Sequence, residues 1–343
     1  MMNNISNRKI LFVHFNGFNG ASGGVRRTVQ NLAVCMRYGK CSTYQTGDGN
    51  HLENSMFIGS NECTEIVAIL KEGKYDSVFF DTSLYGEAVC HIKNKCPEVK
   101  VIVHYHNFEK RYFEDEDNLL NRVPLASFAA NCERLASMNS DVRIYISNED
   151  RMNIRKEYGI CSGKDIVIPP ALPDSFMPMP VMASEEPYVL FLGSDFYANI
   201  EAARFIIKDI APYITMKAVI AGKGMDTALE PASGNVEVSG FVPSLSTAMA
   251  GAAAFISPVF SGSGSKIKIA EALMHGKYII TSEESLAGYD TKDMAVTVCR
   301  SADEFIKAIN SLDTSKTFYP ENRELFLKNH EIFNLLQRWF PSF

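Results

Sequence analysis

Residues 253–281 read AAFISPVFSGSGSKIKIAEALMHGKYIIT, and this stretch decides the fold of the second half of the chain. The apolar run 253–257 predicts a buried strand, the Gly-Ser segment 261–265 predicts a loop, and 265–275 has helical spacing. The apolar run 277–281 predicts the next strand. A strand, a helix and a second strand in succession form a βαβ unit, and this unit implies parallel strands.

The same alternation of strands and helices extends along the chain. In the first half, short apolar runs predict strands at 8–15, 77–81, 99–104, 142–147 and 165–168. In the second half, further strands are predicted at 187–192, 217–221 and 235–238, with helices at 199–210, 244–251 and 302–312. Because this alternation builds parallel sheets covered on both faces, the sequence predicts an α/β fold of two doubly wound domains.

A proline-rich segment separates the two halves. Six prolines lie between 169 and 187, a density that neither a helix nor a central strand can accommodate. The predicted domains are therefore 1–177 and 178–320. The last segment, 321–343, has apolar residues at helical spacing, and we expect it to form a helix that packs back on the first domain.

Composition excludes several classes of protein. The chain has 343 residues, 46% apolar and 22% charged, with a formal net charge of −6, so a nucleic acid is not the expected main partner. The eight cysteines have irregular spacing without a C-x-x-C pair, which is typical of a reducing compartment. The N-terminus does not resemble a secretory signal, and the sequence has no apolar run of membrane-spanning length. We expect a cytoplasmic protein, with peripheral contact to the inner face of the membrane left open.

The Gly-Ser loop predicts an anion site. Gly262, Ser263, Gly264 and Ser265 let a ligand approach the backbone closely, and a helix follows at once. The N–H groups and the dipole at the start of a helix favour a phosphate. Lys266 and Lys268 add positive charge in the first turn, where a bound anion would stabilise them. The alternative interpretation is an ordinary flexible loop.

Glu271 lies on the same helical stripe as Ile267 and Met274, so its carboxylate is predicted to face the core or a pocket. A buried carboxylate needs hydrogen-bond donors, and two ribose hydroxyls would supply them. The alternative is a surface ion pair between Lys268 and Glu271 at spacing i, i+3.

Two further motifs lie in the first half. The glycines up to Gly23 and Gly24 predict a turn before a helix at Val25, but their spacing is not that of a dinucleotide-binding loop. His104 and His106 alternate at a strand end and share one face. A metal would need more ligands than these, and the sequence shows no partner for them, so we predict no metal site.

The segment 262–277 resembles the donor-binding signature of the family 4 retaining glycosyltransferases, which have the GT-B architecture. The signature reads roughly G-x-G-x-(K/R)-x-K-x-x-E-A-(L/M)-x-x-G-K. The matching residues are Gly262, Gly264, Lys266, Lys268, Glu271, Ala272, Leu273, Gly276 and Lys277. One departure is Ser263, which stands where many members carry a glutamate that contacts the donor sugar. The resemblance implies two Rossmann-like domains that face each other across a cleft.

The resemblance also implies a role for individual residues. The implied catalytic residues are His106, which would orient or polarise the sugar, Lys266, which would help to stabilise the leaving diphosphate, and Glu271, which would hold the ribose. Asn107 and Glu109 would face the acceptor. Arg27 completes a G-G-(V/A)-x-R turn that would face the sugar donor. The remaining donor-binding residues implied are Gly23, Gly24, Gly193, Ser194, Gly222, Lys223, Phe241, Val242, Gly262, Ser263, Gly264, Ser265 and Lys268. Asn199 is predicted to cap the helix that follows Ser194.

The implied function is a hexosyl or related glycosyltransferase. It would move a sugar from a nucleoside diphosphate sugar to an acceptor hydroxyl with retention of configuration, without a cofactor or metal. The implied acceptor is a saccharide or lipid-linked saccharide in surface polysaccharide or glycolipid assembly. Three alternatives stay open: another enzyme of the same architecture, such as an inverting transferase or an epimerase; a two-domain receptor; and a catalytically silent paralogue that acts as a nucleotide-sugar-binding scaffold.

Overall fold

The computed structural model describes residues 8–15, 23–47, 58–116, 123–159, 163–178, 186–229, 234–240, 242, 244–261 and 266–339. The chain divides into two compact units, 1–169 and 170–343. The division lies between Pro169 and Pro170, inside the proline-rich segment and upstream of the predicted boundary at 177/178. Each unit is an α/β domain with one parallel sheet, as the alternation predicted.

The first unit contains a six-stranded parallel sheet in the order β2-β1-β3-β4-β5-β6. Its strands are β1 (Lys9–His14), β2 (Lys40–Gln45), β3 (Ser77–Phe80), β4 (Lys100–Tyr105), β5 (Val142–Tyr145) and β6 (Lys164–Val167). Its helices are α1 (Gly23–Tyr38), α2 (Ser60–Gly73), α3 (Gly86–Lys95), α4 (Glu109–Glu116), α5 (Val123–Asn139) and α6 (Asn148–Tyr158). A single 3₁₀ turn, Ser83–Tyr85, precedes α3.

The second unit also contains a six-stranded parallel sheet, in the order β12-β11-β10-β7-β8-β9. Its strands are β7 (Tyr188–Leu192), β8 (Lys217–Ala221), β9 (Val236–Ser239), β10 (Ala252–Ser257), β11 (Tyr278–Thr281) and β12 (Val296–Val298). Its helices are α7 (Tyr197–Phe205), α8 (Met225–Ala228), α9 (Leu245–Gly251), α10 (Ile267–Met274), α11 (Ala302–Asn310), α12 (Pro320–Asn329) and α13 (Ile332–Trp339). Helix α7 continues into a π-helical turn, Ile206–Ile210, and a 3₁₀ turn, Ala211–Tyr213.

The strands that the sequence did not predict are β2 and β12, which lie at sheet edges. Side chains of β2 are exposed or half-buried along its whole length, so it carries no apolar run to reveal it. Strand β12 has only three residues. The central strands β3 and β10 are buried throughout, because helices cover both of their faces, and both were predicted.

The C-terminal segment forms two helices, α12 and α13, where one helix over 321–343 was expected. The chain turns at His330 and Glu331, where Leu172 N donates to His330 O and Ile332 N donates to Leu172 O. This short bridge satisfies backbone groups that a continuous helix would have paired internally. Phe326 of α12 is fully buried in the core of the second unit. Packing of this segment on the first unit stays a prediction.

Strand order locates the expected ligand positions. In the first unit the connections change direction between the neighbouring strands β1 and β3, and in the second unit between β7 and β10. Ligands of doubly wound sheets bind outside the carboxyl ends of the strands at such switch points. Within the described parts of the chain, none of the helices combines the length and apolarity needed to cross a bilayer.

Candidate active site

Hydroxyl groups fix the loop that leaves β10 at the switch point of the second unit. Ser285 Oγ donates to Ser257 O at 2.9 Å, and Thr281 Oγ1 donates to the same carbonyl at 3.0 Å. Ser282 Oγ donates to Val259 O. The backbone at 257–259 is therefore held by three side chains from the end of the neighbouring strand β11 and the turn after it. Gly262, Ser263, Gly264 and Ser265 lie outside the described residues.

Helix α10 begins at Ile267, with Lys266 at the N-cap. Lys266 O accepts hydrogen bonds from the Tyr289 hydroxyl at 2.8 Å and from Ile269 N at 3.0 Å. Ala270 N donates to the Tyr289 hydroxyl at 3.2 Å. The Lys266 side chain is 18% exposed, and its Nζ lies 3.6 Å from a Glu284 carboxylate oxygen. The start of the helix thus has a fixed backbone and a nearby lysine, the arrangement that suits an anion.

Glu271 is buried, as its position on the helical stripe predicted, and its side chain is only 2% exposed. Lys268 Nζ lies 2.9 Å from Glu271 Oε2. The i, i+3 pair considered as the alternative is therefore present, but it is not a surface pair, because its acid is buried. A buried carboxylate beside one lysine retains acceptor capacity for hydroxyl groups.

The last two residues of the signature, Gly276 and Lys277, are structural. Gly276 has φ +59°, and a Cβ there would lie 2.5 Å from the Phe318 ring. Lys277 Nζ donates to the carbonyls of Ala252 and Thr317, each at 2.8 Å. Burial lowers the pKa of Lys277 to about 8. Both residues close the C-terminal end of α10, and neither lies at its N-terminus.

Backbone contacts join the carboxyl ends of β7 and β8. Gly222 has φ +147°, and a Cβ at this position would lie 1.7 Å from Gly193 O. Asp195 N donates to Lys223 O at 3.0 Å, so the two strand-end loops are hydrogen-bonded. Gly193 is buried, whereas Lys223 is exposed. Glycine at 222 is required for this close approach, whereas a Cβ at Gly193 would meet the Asn199 side chain at 2.8 Å.

The predicted cap of α7 is wrong. The helix begins at Tyr197 and its N-cap is Phe196, so Asn199 lies inside the first turn. Asn199 Nδ2 instead donates to Ser194 O at 3.1 Å. The amide side chain therefore holds the exposed strand-end residue Ser194 rather than the helix backbone, a role that short-range capping rules do not reveal.

A cavity of about 370 Å³ lies against the face of β7, β8 and β9. Val242, a donor-binding residue implied by the resemblance, lines one part of it together with Ser239. Most of its lining comes from the starts and middles of the strands, including Tyr188 and Lys217. Because ligands of such sheets bind at the carboxyl ends, we do not assign this cavity to the sugar donor. Phe241 lies outside the described residues.

A buried carboxylate, Asp81, lies at the switch point of the first unit, directly after β3. Its side chain is inaccessible to solvent. Thr28 Oγ1 donates to Oδ2 at 2.5 Å, and Asn31 Nδ2 donates to Oδ1 at 2.6 Å. His106 Nε2 lies 3.5 Å from Oδ1. Asp81 was not among the residues predicted from the sequence, where its only signal is that of an acidic residue at the end of the apolar run 77–81.

The two histidines of β4 and the loop after it pack edge to face, with ring centroids 4.7 Å apart. His104 is 1% exposed, and burial and the charges of His106 and Arg27 hold its pKa well below its usual range. Ligand atoms of Asp81, His104 and His106 all lie within 4.8 Å of one another. This donor set is one that could hold a divalent cation, although the neighbouring Arg27 charge opposes one. The expectation of no metal stays a prediction.

The remaining candidates of the first unit lie at the starts of two helices and in the loop after β4. Gly23 and Gly24 are the first two residues of α1 and not part of a turn before it, because the helix begins at Gly23 rather than at Val25. Asn107 is half-buried beside His106. Glu109, expected to face the acceptor, is 6% exposed and begins α4.

Glu133 of α5 contacts the start of α4. Its Oε1 accepts from Glu109 N at 2.8 Å. Burial and the Glu109 charge raise the pKa of Glu133 to about 8. The first turn of α4 is therefore tied to a buried carboxylate of α5.

Residues 186–314 match the family described as Glycosyl transferases group 1. This matched region lies within the second unit and is called the group 1 domain below. It includes the strand-end loops of β7 and β8 and the start of α10, where the site described above lies. No curated protein sequence matches the chain.

Solved structures share the two-domain fold at low sequence identity. Sucrose-phosphate synthase from Thermosynechococcus elongatus is 13% identical, with a TM-score of 0.69 over 97% of this chain and 98% of its own. Anabaena HepE, solved with UDP and glucose, is 14% identical, with a TM-score of 0.68 over 98% of this chain and 99% of its own. A glycosyltransferase from Rickettsia africae is 12% identical, with a TM-score of 0.62 over 98% of this chain and 97% of its own. The GT-B fold class predicted from the sequence is confirmed.

Proposed function

We propose that the protein transfers a glycosyl unit from a nucleoside diphosphate sugar to an acceptor hydroxyl, with retention of anomeric configuration. The observation that carries this proposal is the pair of Lys268 and the buried Glu271 carboxylate in the first two turns of α10, at the switch point of the group 1 domain. A carboxylate and an ammonium 2.9 Å apart match the two polar parts of a nucleoside diphosphate, its ribose hydroxyls and its phosphates.

In this proposal the group 1 domain stabilises the leaving diphosphate. Lys266 and Lys268 supply positive charge beside the N-terminus of α10, where charge develops as the glycosidic bond breaks. The close strand ends at Gly193 and Gly222 present backbone groups to the sugar donor. Because lysines and helix dipole neutralise the diphosphate, the proposed reaction requires no metal or cofactor. Transfer that persists in a chelator would agree with this requirement.

The first unit is proposed to act on the sugar and the acceptor. His106 would hydrogen-bond the transferred sugar, and Asn107 would contribute to the acceptor side. The burial of Glu109 makes its carboxylate a weaker candidate for direct acceptor contact than Asn107. A saccharide or lipid-linked saccharide of surface polysaccharide or glycolipid assembly is the proposed acceptor, used in the cytoplasm or at the inner face of the membrane.

Uridine diphosphate sugars are the first donors to test, because HepE has been solved with UDP-glucose and UDP. A thermal-shift series with UDP, GDP, TDP and CMP would identify the nucleotide, since a ligand that binds the folded state raises the unfolding temperature. Transfer and donor hydrolysis would then be measured with the sugars of that nucleotide. Absence of a shift with all four would contradict the proposal.

Two variants test the assigned residues. Glu271→Gln and Lys268→Met should each weaken nucleotide binding roughly tenfold or more, because each removes a charge-assisted hydrogen bond. The matched controls are Glu321→Gln and Lys316→Met, an exposed pair 3.9 Å apart in the same unit, and these should bind as the wild type does. Unchanged binding and turnover in the site variants would place the site elsewhere.

Ser263 supports one alternative, a nucleotide-sugar-binding scaffold without turnover, because it replaces a glutamate that many relatives use. Saturable nucleotide binding without transfer or hydrolysis over a panel of sugars and acceptors would favour the scaffold. The anomeric configuration of the product, measured by NMR, would separate retention from inversion.

A further inference from the structure

Asp81 lies beside the histidines because of the register between β3 and β4. Phe80 pairs with Val103, so the next residues, Asp81 and His104, come side by side at the carboxyl ends of the strands. His106 follows two residues later, on the same side as His104. Strand order and register alone thus bring the carboxylate to the imidazoles.

The Asp81 carboxylate cannot turn freely. Both of its oxygens accept hydrogen bonds from α1, one from Thr28 and one from Asn31, at 2.5 and 2.6 Å. A buried carboxylate with two short hydrogen bonds is a rigid acceptor, because rotation would leave one donor and one oxygen unpaired. Helix α1 therefore sets the direction in which Oδ1 faces His106.

The separation of His106 Nε2 and Asp81 Oδ1, 3.5 Å, is at the long limit of a hydrogen bond. Such contacts are often long in unliganded enzymes and shorten in the reacting complex. A carboxylate only accepts, so the nitrogen that faces it is favoured to carry the proton. The edge of the neighbouring His104 ring, at 83° to His106, restricts the plane of the imidazole.

We propose that Asp81 is a positioning residue that holds His106 as the Nε2–H tautomer, so that Nδ1 accepts a hydrogen bond from a hydroxyl of the transferred sugar. The part that concerns the sugar rests on the proposed function. In this arrangement neutral His106 orients the sugar by accepting from it, rather than by donating to it. The groups that face the imidazole are Asp81 directly after β3, His104 on β4 and, beside His104, Arg27 on α1.

The first test needs no substrate. The ¹⁵N shifts of the histidine rings distinguish the two tautomers, and the spectrum of His106→Gln identifies the His106 signals. Wild-type protein should show the Nε2–H form, and Asp81→Asn should lose this preference. The matched control is Asp76→Asn, at the other end of β3, whose carboxylate accepts a hydrogen bond from Lys9 N. An Nδ1–H tautomer in the wild type would overturn the proposal, even if the Asp81 variant failed to fold.

The second test separates positioning from stability. Asp81→Asn should lower kcat roughly 10- to 100-fold, the range for loss of one charge-assisted hydrogen bond, while the Kd for UDP stays within about twofold of the wild type. Asp76→Asn should retain both values. Equal losses of kcat and UDP affinity, or no loss of kcat, would overturn the positioning role.

Zinc tests the competing possibility that Asp81, His104 and His106 bind a metal ion. Added to metal-free protein, it should leave the ring signals of His104 and His106 unshifted. A saturable shift of both would assign the trio to a metal and overturn the proposal. If the tautomer is as expected but no sugar nucleotide supports transfer, the proposed function fails while the Asp81–His106 arrangement stands.

Discussion

The two units have sheets of the same size, yet they build their switch points from different chemical groups. In the first unit, the carboxylate of Asp81 is buried and held by side chains of α1. In the second, the described strand ends meet through the backbone at Gly193 and Gly222, and hydroxyls such as Ser285 Oγ hold the loop after β10. The switch point of the first unit therefore presents an oriented side chain, Asp81. The switch point of the second unit presents backbone groups that approach closely and the N-terminus of a helix, α10.

This difference has an energetic consequence. A buried charge depends on every one of its hydrogen bonds, because an unpaired charge in a low dielectric is costly. A hydrogen bond from a hydroxyl to a carbonyl contributes less to the free energy of unfolding than one to a buried charge, since both groups are neutral. The switch point of the first unit should therefore be more sensitive to loss of a single polar contact, and that of the second unit more sensitive to added volume at its glycines.

The largest effect is expected from Gly222→Ala. The new Cβ would meet Gly193 O in a backbone conformation that alanine rarely adopts, so the second unit should lose roughly 4 kcal/mol. Urea unfolding would measure the loss, and hydrogen exchange would locate it at β7 and β8. The control Gly234→Ala has φ +75° but open space around it, and should cost only about 1 kcal/mol. Equal costs would show that steric contact at the strand ends is unimportant.

His330 should make the second unit sensitive to acid. Burial lowers its pKa from 6.5 to about 4, and its Nδ1–H donates to Pro170 O at 2.9 Å. The unfolded chain thus takes up a proton near pH 6.5 that the folded protein takes up only near pH 4. Stability should fall by roughly 3 kcal/mol as the pH drops through this window. His330→Asn, which keeps a donor for Pro170 O, should flatten the curve of unfolding temperature against pH. Parallel curves for variant and wild type would contradict this.

Thr28→Val tests the charged contact of the first unit. The variant keeps the shape of the side chain but removes the hydroxyl that donates to Asp81 Oδ2 at 2.5 Å. We expect a loss of roughly 2 kcal/mol, because the acceptor is a buried carboxylate. Urea unfolding gives the free energy, with hydrogen exchange of β3 and α1 to locate the change. No measurable loss would mean that Asn31 alone satisfies the carboxylate.

Thr281→Val is the matched substitution in the second unit and should have the smallest effect. Its hydroxyl donates to a neutral carbonyl, Ser257 O, at 3.0 Å. The expected loss is about 1 kcal/mol in the same unfolding experiment. A cost equal to or greater than that of Thr28→Val would remove the distinction between the two switch points.

Several elements could be predicted from the sequence because their signal is local. The apolar runs of β3, β7 and β10 and the stripe that buries Glu271 follow from periodicity alone. Edge strands β2 and β12 were not predicted, because a partly exposed strand needs no apolar run. Asn199 was misassigned because its partner is the Ser194 carbonyl before the helix, and not the helix N–H groups.

The sequence by itself determined the α/β class, the two-domain division and the motif that matches a group 1 glycosyltransferase domain, because each depends on residues close together in the chain. Only the tertiary structure decided the strand order and the register, which are set by contacts between distant segments. These contacts bring Asp81 to His106, 25 residues further along the chain, and Gly193 O against Gly222. Buried polar groups must find partners wherever the fold offers them, and no local pattern specifies which partner that will be.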